Sequence, residues 1–199
     1  PPKFAHLGIA QTDCMTISIG FRAATQRQLL DAFVDALAES ECAEQFYSDI
    51  DLLMTDKPTV IDDGSLEKAK TLLVEALTEH PELIKKAFGR LVTETKPALL
   101  PWLMSEEELL DTPAALSEWF AQGGVLKRND FVRIAWHKSP SAVSVFVGGQ
   151  DYQLPVNCTE QVANMCSAAQ LTAADWQQIK RRSELTDLLL SMLADGAWT

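Results

Sequence analysis

The sequence predicts an α+β fold that is mostly α-helical, with a helical bundle followed by a winged-helix-like domain. Apolar residues recur at helical spacing in three segments between residues 25 and 96. After residue 112, short apolar segments separated by glycine turns indicate a small sheet set between helices. The 199 residues are 47% hydrophobic and 23% charged, which is typical of a globular chain.

The helical part is predicted to contain three amphipathic helices. Thr25 and Gln28 form a capping box at the start of the first helix, which ends near Ser40. Ser65 is predicted to cap the second helix, and Pro81 lies in the first turn of the third, where its missing N–H costs nothing. The predicted inward residues are Leu29, Leu30, Phe33, Val34, Leu37, Leu66, Ala69, Leu72, Leu73, Ala76, Leu77, Leu83, Ile84, Ala87, Phe88, Leu91 and Val92. These helices are expected to form a homodimer interface.

The second half is predicted to alternate between helices and short strands. Pro97 and Pro101 interrupt the helical pattern, so residues 97–111, with an acidic run at 106–108, are predicted to be a linker. Gly148 and Gly149 mark a tight hairpin turn. The predicted elements are a helix ending at residue 120, strands at 124–128, 131–137, 142–147 and 151–155, and helices at 159–168, 172–182 and 184–194.

Charge limits the partners that the chain can take. It carries 17 Lys and Arg against 28 Asp and Glu, a net charge of −11, and residues 1–111 contribute 10 basic and 20 acidic side chains. Such a surface repels phosphate backbones, which disfavours the alternative of DNA binding through the basic cluster Lys180–Arg182. No apolar run approaches the roughly 20 residues of a membrane span, and no signal peptide is visible. A cytoplasmic location, reduced cysteines and no membrane partner are therefore expected.

The start of the chain leads us to expect a piece of a longer protein. Residues 14–21 alternate between apolar and polar side chains as in a half-buried strand, and such a strand needs ladder partners. The chain begins Pro-Pro-Lys without an initiator Met. Of its three histidines, His80 and His137 are predicted to be surface or capping residues, and no complete catalytic site or metal-ligand spacing occurs.

Three motifs resemble those of the JmjC/cupin-type ribosomal oxygenases. Residues 1–8 read Pro-Pro-Lys-Phe-Ala-His-Leu-Gly and resemble the family's Pro-Pro-x-Phe-Pro-His-x-Gly. Residues 18–23 resemble Ser-Val-Gly-Phe-Arg-Ala, and residues 46–52 resemble Tyr-Tyr-Ser-Asp-Pro-Asp-Leu. The departures are Ala5, Leu7, Ala24 and Ile50, none of which removes a metal ligand.

The resemblance implies a fold and a domain order. Residues 1–24 would be the terminal piece of a JmjC/cupin barrel, which is a double-stranded β-helix or jelly roll. Residues 25–96 would be a helical dimerisation domain and residues 112–199 the winged-helix-like domain. The implied parent is a 2-oxoglutarate- and Fe(II)-dependent protein hydroxylase, similar to bacterial enzymes that hydroxylate an arginine of a large-subunit ribosomal protein.

The resemblance also implies site residues. In this family a His-x-Asp pair and a later His hold the iron, and His6 matches the later His. Thr16 and Ser18 would lie near the 2-oxoglutarate, whereas Arg22 matches a motif whose role could be structural. Because this chain has no His-x-Asp pair ahead of His6, we expect Fe(II) and 2-oxoglutarate to bind the intact protein only, and the fragment to be inactive. The alternative is a dimerisation and protein-docking module without catalysis, whose acidic first half suits a basic ribosomal protein.

Overall fold

The computed structural model describes residues 9, 12, 15, 23–41, 45–48, 50, 59–96 and 110–199. Within these residues the fold is α+β and mostly helical, as predicted. The strand predicted at 14–21 and the linker predicted at 97–111 lie almost entirely outside the described residues. Among the described helices, none has both the length and the apolar composition needed to cross a bilayer.

The helical region comprises α1 (Gln26–Ala38), α2 (Asp63–Glu79) and α3 (Pro81–Thr93). The predicted capping box is confirmed, because the backbone N–H of Gln28 donates to Thr25 Oγ1 at 3.2 Å and that of Thr25 donates to Gln28 Oε1 at 3.0 Å. The predicted cap at Ser65 is wrong. Asp62 is the N-cap instead, and its carboxylate accepts the backbone N–H of Ser65 at 2.7 Å. A carboxylate at a helix N-terminus also opposes the positive end of the helix dipole.

The three helices bury few of their apolar residues. Phe33 and Ala36 of α1 pack against Ala87 of α3, and these three form the buried cluster of the helical region. Several residues predicted to point inward are 44–69% exposed, namely Leu30, Val34, Leu66, Leu73, Ile84 and Phe88. The apolar period therefore located the helices correctly but did not show which apolar positions are covered.

Residues 112–199, the predicted winged-helix-like domain, are called the winged-helix domain below and contain four α-helices and five strands. Its elements are α4 (Pro113–Ala121), β1 (Leu126–Lys127), β2 (Ile134–Lys138), β3 (Ala142–Val147), β4 (Gln150–Pro155), α5 (Thr159–Ser167), β5 (Gln170–Leu171), α6 (Ala173–Ile179) and α7 (Ser183–Ala194). The antiparallel sheet has the order β2-β3-β4, and β1 pairs with β5. The two-residue strand β5 was not predicted, and α6 ends three residues before the predicted residue 182.

The sheet is covered on both faces. Val143, Val145 and Val147 of β3 enter the main core, where Trp176 and Trp198 are almost fully buried. The predicted hairpin turn is confirmed: Gly148 and Gly149 have φ values of +57° and +92°, a conformation that side chains disfavour.

Helix α3 lies across the opposite face of this sheet. A Cβ atom added to Gly89 would lie 2.3 Å from the ring of Phe146, so this glycine allows the helix to approach the sheet closely. The turn of the hairpin is held as well, because the backbone N–H of Gly149 donates to Thr93 Oγ1 at 3.3 Å. Through α3 the helical region is joined directly to the winged-helix domain.

Candidate functional site

The residues that the sequence assigns to the metal and the cofactor have no described geometry. His6, Thr16, Ser18 and Arg22 all lie outside the described residues. Among the residues that are described, no cluster of three His, Cys, Asp or Glu side chains is arranged to hold a metal ion. The described part of the chain therefore does not form the iron site that the resemblance implies.

The candidate functional surface lies instead on the helical region. We call the exposed apolar residues of α1, α2 and α3 the apolar helical surface. Its members are Leu30, Val34, Leu66, Leu73, Val74, Ile84 and Phe88. Neighbours four residues apart on one helix share a face, as Leu30 and Val34 do on α1 and Ile84 and Phe88 do on α3. Their exposure makes these faces the candidate interaction surface among the described residues.

An acidic groove runs between α1 and α3. It has a volume of about 320 Å³, and its charged lining consists of Asp31, Asp35 and Glu94 together with one cation, Arg90. Asp31 faces Arg27 at 3.6 Å, but both side chains are strongly exposed, so this pair contributes little. The groove therefore offers a negative surface to a basic partner.

Arg90 connects the helical region to the sheet at one end of this groove. Its Nε donates to Asp151 Oδ1 of β4 at 2.6 Å, and its Nη1 donates to Glu39 Oε2 at 2.7 Å. Lys86 Nζ donates to the same oxygen of Glu39 at 3.1 Å. The hydrogen bonds from Arg90 and then Lys86 lower the pKa of Glu39 below its usual value. The bonds from Arg90 span up to 61 positions in the chain, so no sequence motif indicates them.

A second pair of titratable groups lies between β4 and α7. Tyr152 donates its hydroxyl proton to Asp195 Oδ2 at 2.6 Å. Burial raises the pKa of Asp195, although the hydrogen bond from Tyr152 partly opposes this shift. The pKa of Tyr152 is raised as well, by burial first and then by Asp195. The pair joins the last helix to the sheet, and sequence analysis did not find it.

The remaining candidate side chains have structural positions. His80 lies where α2 ends and α3 begins, and His137 is an exposed residue of β2, as predicted for both. Cys158 and Cys166 are free and buried, and burial raises the pKa of Cys166 to about 11. A thiol with so high a pKa is a poor nucleophile at neutral pH.

A helical region that packs through α3 on a three-stranded antiparallel sheet defines the fold class of this protein. The chain belongs to the ROXA-like winged helix family, whose model matches residues 76–199. It is 25% identical over 198 residues to the ribosomal protein uL16 3-hydroxylase of Escherichia coli strain K12, covering 100% of this chain and 50% of that protein. It is 20% identical to the probable ribosomal oxygenase of Haemophilus influenzae, covering 98% of this chain and 49% of that protein.

Solved structures agree with this assignment at the level of the fold. The crystal structure of the Escherichia coli ribosomal oxygenase YcfD matches with a TM-score of 0.71 and 21% identity, over 91% of this chain and 47% of that chain. The same protein in complex with cobalt and 2-oxoglutarate matches with a TM-score of 0.68, 21% identity and the same coverage. The chain thus spans about half the length of the relatives it matches, and the resemblance to ribosomal oxygenases is confirmed.

Proposed function

We propose that this chain is the C-terminal portion of a 2-oxoglutarate- and Fe(II)-dependent protein hydroxylase that modifies a basic ribosomal protein, with an arginine of a large-subunit protein as the target. One observation carries the proposal. The whole chain aligns with a relative named as a ribosomal protein uL16 3-hydroxylase. The three sequence motifs at residues 1–8, 18–23 and 46–52 support the same assignment independently of the winged-helix match.

The proposal assigns the oxidative chemistry to the intact protein. The described residues do not fit an iron site, since they contain no suitable cluster of ligands. His6 is the proposed later His of the iron site, and Thr16 and Ser18 are the proposed neighbours of 2-oxoglutarate. The described regions would then hold the substrate protein and assemble the enzyme.

Electrostatics supports this role for the helical region. Asp31, Asp35 and Glu94 line one groove, and the chain as a whole carries a net charge of −11. Ribosomal proteins are basic, so an acidic groove increases the rate of encounter and favours the correct orientation. The groove is thus the proposed docking site for a basic segment of the substrate.

The test is an oxygenation assay on the full gene product that contains this sequence. Incubation with Fe(II), 2-oxoglutarate, O2 and ribosomal proteins should insert one oxygen atom of O2 into one protein, while the other atom enters the succinate that is released together with CO2. His6→Ala should abolish both signals, and Asp35→Asn should weaken substrate binding while leaving 2-oxoglutarate affinity unchanged. Absence of a His-x-Asp pair upstream in the gene, or a full-length protein without 2-oxoglutarate turnover, would overturn the proposal.

The apolar helical surface supports a second function, homodimerisation through the central helices. Light scattering should give a dimer rather than a 22.0 kDa monomer. Phe88→Glu should dissociate it, whereas Phe131→Glu in the winged-helix domain should not. These two side chains are 51% and 52% exposed, so the control is matched in exposure. A wild-type monomer at high concentration would contradict dimerisation.

DNA binding has less support. Lys180 and Arg181 are exposed, but Arg182 donates to Asn157 Oδ1 at 2.8 Å and is already engaged. We therefore place DNA binding behind both protein-directed functions.

A further inference from the structure

We propose that a cleft between the C-terminal ends of α3 and α5 binds a small organic anion, a carboxylate or phosphate carried on an apolar body. The cleft has a volume of about 560 Å³, within the range of small-molecule sites. Its walls are the last turn of α3, the turn at residues 128–133, the start of β2, and residues 167–169 at the end of α5. This inference rests on the junction of α3 with the winged-helix domain and does not depend on the proposed hydroxylase activity.

Two arginines lie at the two ends of one tight turn and both line the cleft. Asn129 shapes this turn, because its carbonyl accepts the N–H of Val132 at 3.1 Å and its side chain accepts that of Phe131 at 3.0 Å. Val132 is 2% exposed and fixes the turn to the main core. Arg128 and Arg133 therefore leave the chain at positions that the fold determines.

The backbone of each arginine is held as well. The N–H of Arg128 donates to the carbonyl of Ala169 at 3.0 Å, and the carbonyl of Arg133 accepts the N–H of Gly148 at 3.2 Å. Such fixed backbones reduce the entropy that would be lost when a ligand orders the side chains.

Each guanidinium is oriented by one hydrogen bond to the end of a helix. Arg133 Nη1 donates to the carbonyl of Val92 at 3.3 Å, and Arg128 Nη1 donates to the carbonyl of Cys166. These bonds neutralise carbonyl groups at the negative ends of α3 and α5. A guanidinium has five N–H donors, so most of them remain available after one such bond. In the described ranges, no carboxylate lies within salt-bridge distance of either arginine.

The rest of the lining defines the kind of ligand. Val92, Ile134, Ala135, Ala168 and Ala169 give the cleft apolar walls. Its one carboxylate belongs to Asp130, which is exposed to solvent. Two arginines beside apolar walls match an anionic head on an apolar body, because a guanidinium pairs with carboxylate and phosphate oxygens through two parallel hydrogen bonds. The strong negative charge of the whole chain disfavours a long polyanion in the same place.

The experiment titrates inorganic phosphate and, separately, succinate into the full 199-residue chain at low ionic strength, followed by amide chemical shifts. We expect saturable shifts at the turn of residues 128–133 and at residues 167–169. Arg133→Gln should weaken binding about tenfold, as the loss of one charge-assisted interaction predicts. Arg181→Gln, which removes an exposed arginine two residues after α6, should leave the affinity unchanged.

The possible outcomes distinguish a specific binding site from a general effect of charge on the chemical shifts. Tighter binding of phosphate assigns a phosphoryl ligand, and tighter binding of succinate assigns a carboxylate ligand. Equal affinities in wild type, Arg133→Gln and Arg181→Gln would overturn the proposal, as would shifts spread over the whole surface. If Arg133→Gln disturbs the end of α3, Arg128→Gln provides a second test. The amide spectrum of each variant without ligand verifies that it has the native fold.

Discussion

The helical region and the winged-helix domain both carry apolar residues at helical spacing, but they differ in how many of these side chains are buried. Among the described residues, the winged-helix domain assembles 21 buried side chains into one core, whereas the helical region assembles three. Each fully buried aliphatic or aromatic side chain contributes about 1.5–3 kcal/mol. Among the described residues, the stabilisation from apolar burial therefore comes mainly from the winged-helix domain.

This difference shows what an apolar stripe predicts and what it leaves open. Helices α7 and α3 both carry apolar residues four positions apart, yet Leu185 and Leu189 are fully buried while Ile84 and Phe88 are 44% and 51% exposed. The period places a side chain on a face, and the neighbouring elements decide whether that face is covered. In the helical region the described residues leave part of the apolar face exposed. We therefore propose that a second copy of the chain covers this face.

Truncation of one leucine in each region tests this difference in burial, and the variant in the winged-helix domain should have the largest effect on stability. Leu189→Ala removes a side chain that is 0% exposed and should lower the free energy of unfolding by about 2–5 kcal/mol. Leu73→Ala removes one that is 69% exposed and should change it by less than about 0.5 kcal/mol. Urea denaturation at low protein concentration measures both. An equal loss in the free energy of unfolding in the two variants would show that α2 belongs to a core. That result would contradict the difference in burial between the two regions.

The contact between the two regions should be sensitive to a single methyl group. Gly89→Ala places a Cβ 2.3 Å from the ring of Phe146, and the overpacking should cost about 1–3 kcal/mol. Phe146→Leu in the same chain should recover part of that loss because it removes the clashing ring. Thermal unfolding of both single variants and the double variant gives the coupling. Strictly additive effects would mean that α3 does not approach the sheet at this point.

The ion pairs at the same junction should contribute less. Arg90→Met removes the partner of Asp151, whose side chain is 25% exposed, and should cost about 1 kcal/mol. Arg27→Met removes a partner that is 91% exposed and should have no measurable effect. Because the pKa of Glu39 is lowered in the folded state, its contribution is present above the usual carboxylate pKa and is lost as the pH falls through the lowered value. Arg90→Met should therefore also reduce the loss of stability in acid, and an unchanged acid profile would contradict the role of Arg90 at Glu39.

Features encoded within a few residues were predictable from the sequence. The capping box at Thr25 and the hairpin turn at Gly148 and Gly149 are confirmed because each depends on residues at most three positions apart. The cap of α2 was misplaced because Asp62 and Ser65 compete within one turn, and only geometry shows that the carboxylate accepts the N–H of Ser65.

Features that depend on distant parts of the chain could not be predicted in this way. Strand β5 exists because Leu171 pairs with Leu126, and nothing in its two residues indicates a strand. Arg90 meets Asp151 only after α3 has packed across the sheet. The assignment to ribosomal oxygenases came from motifs, whereas His6, Thr16 and Ser18 stay predictions because they lie outside the described residues.

The smallest expected effect concerns the buried carboxylate between β4 and α7. Burial raises the pKa of Asp195, so the folded state binds this proton more tightly than the unfolded state does. The contribution of Asp195 to the free energy of unfolding is therefore most favourable below the usual carboxylate pKa. It becomes less favourable as the pH rises through the raised pKa of the folded state. Asp195→Asn should remove this part of the pH dependence and increase stability at neutral pH by less than about 1 kcal/mol.

Asp187→Asn on the exposed face of α7 is the matched control for a change in overall charge. Unfolding curves between acidic and neutral pH measure both variants. An asparagine can still accept the hydroxyl proton of Tyr152, so the substitution removes the buried charge without removing the hydrogen bond. Lower stability of Asp195→Asn at neutral pH would mean that the charged hydrogen bond to Tyr152 outweighs the cost of burial. The packing of α7 on the main core would then depend on an ionised side chain. The winged-helix domain would rely on charged groups as well as on apolar burial, and its difference from the junction at Arg90 would be smaller than the structure indicates.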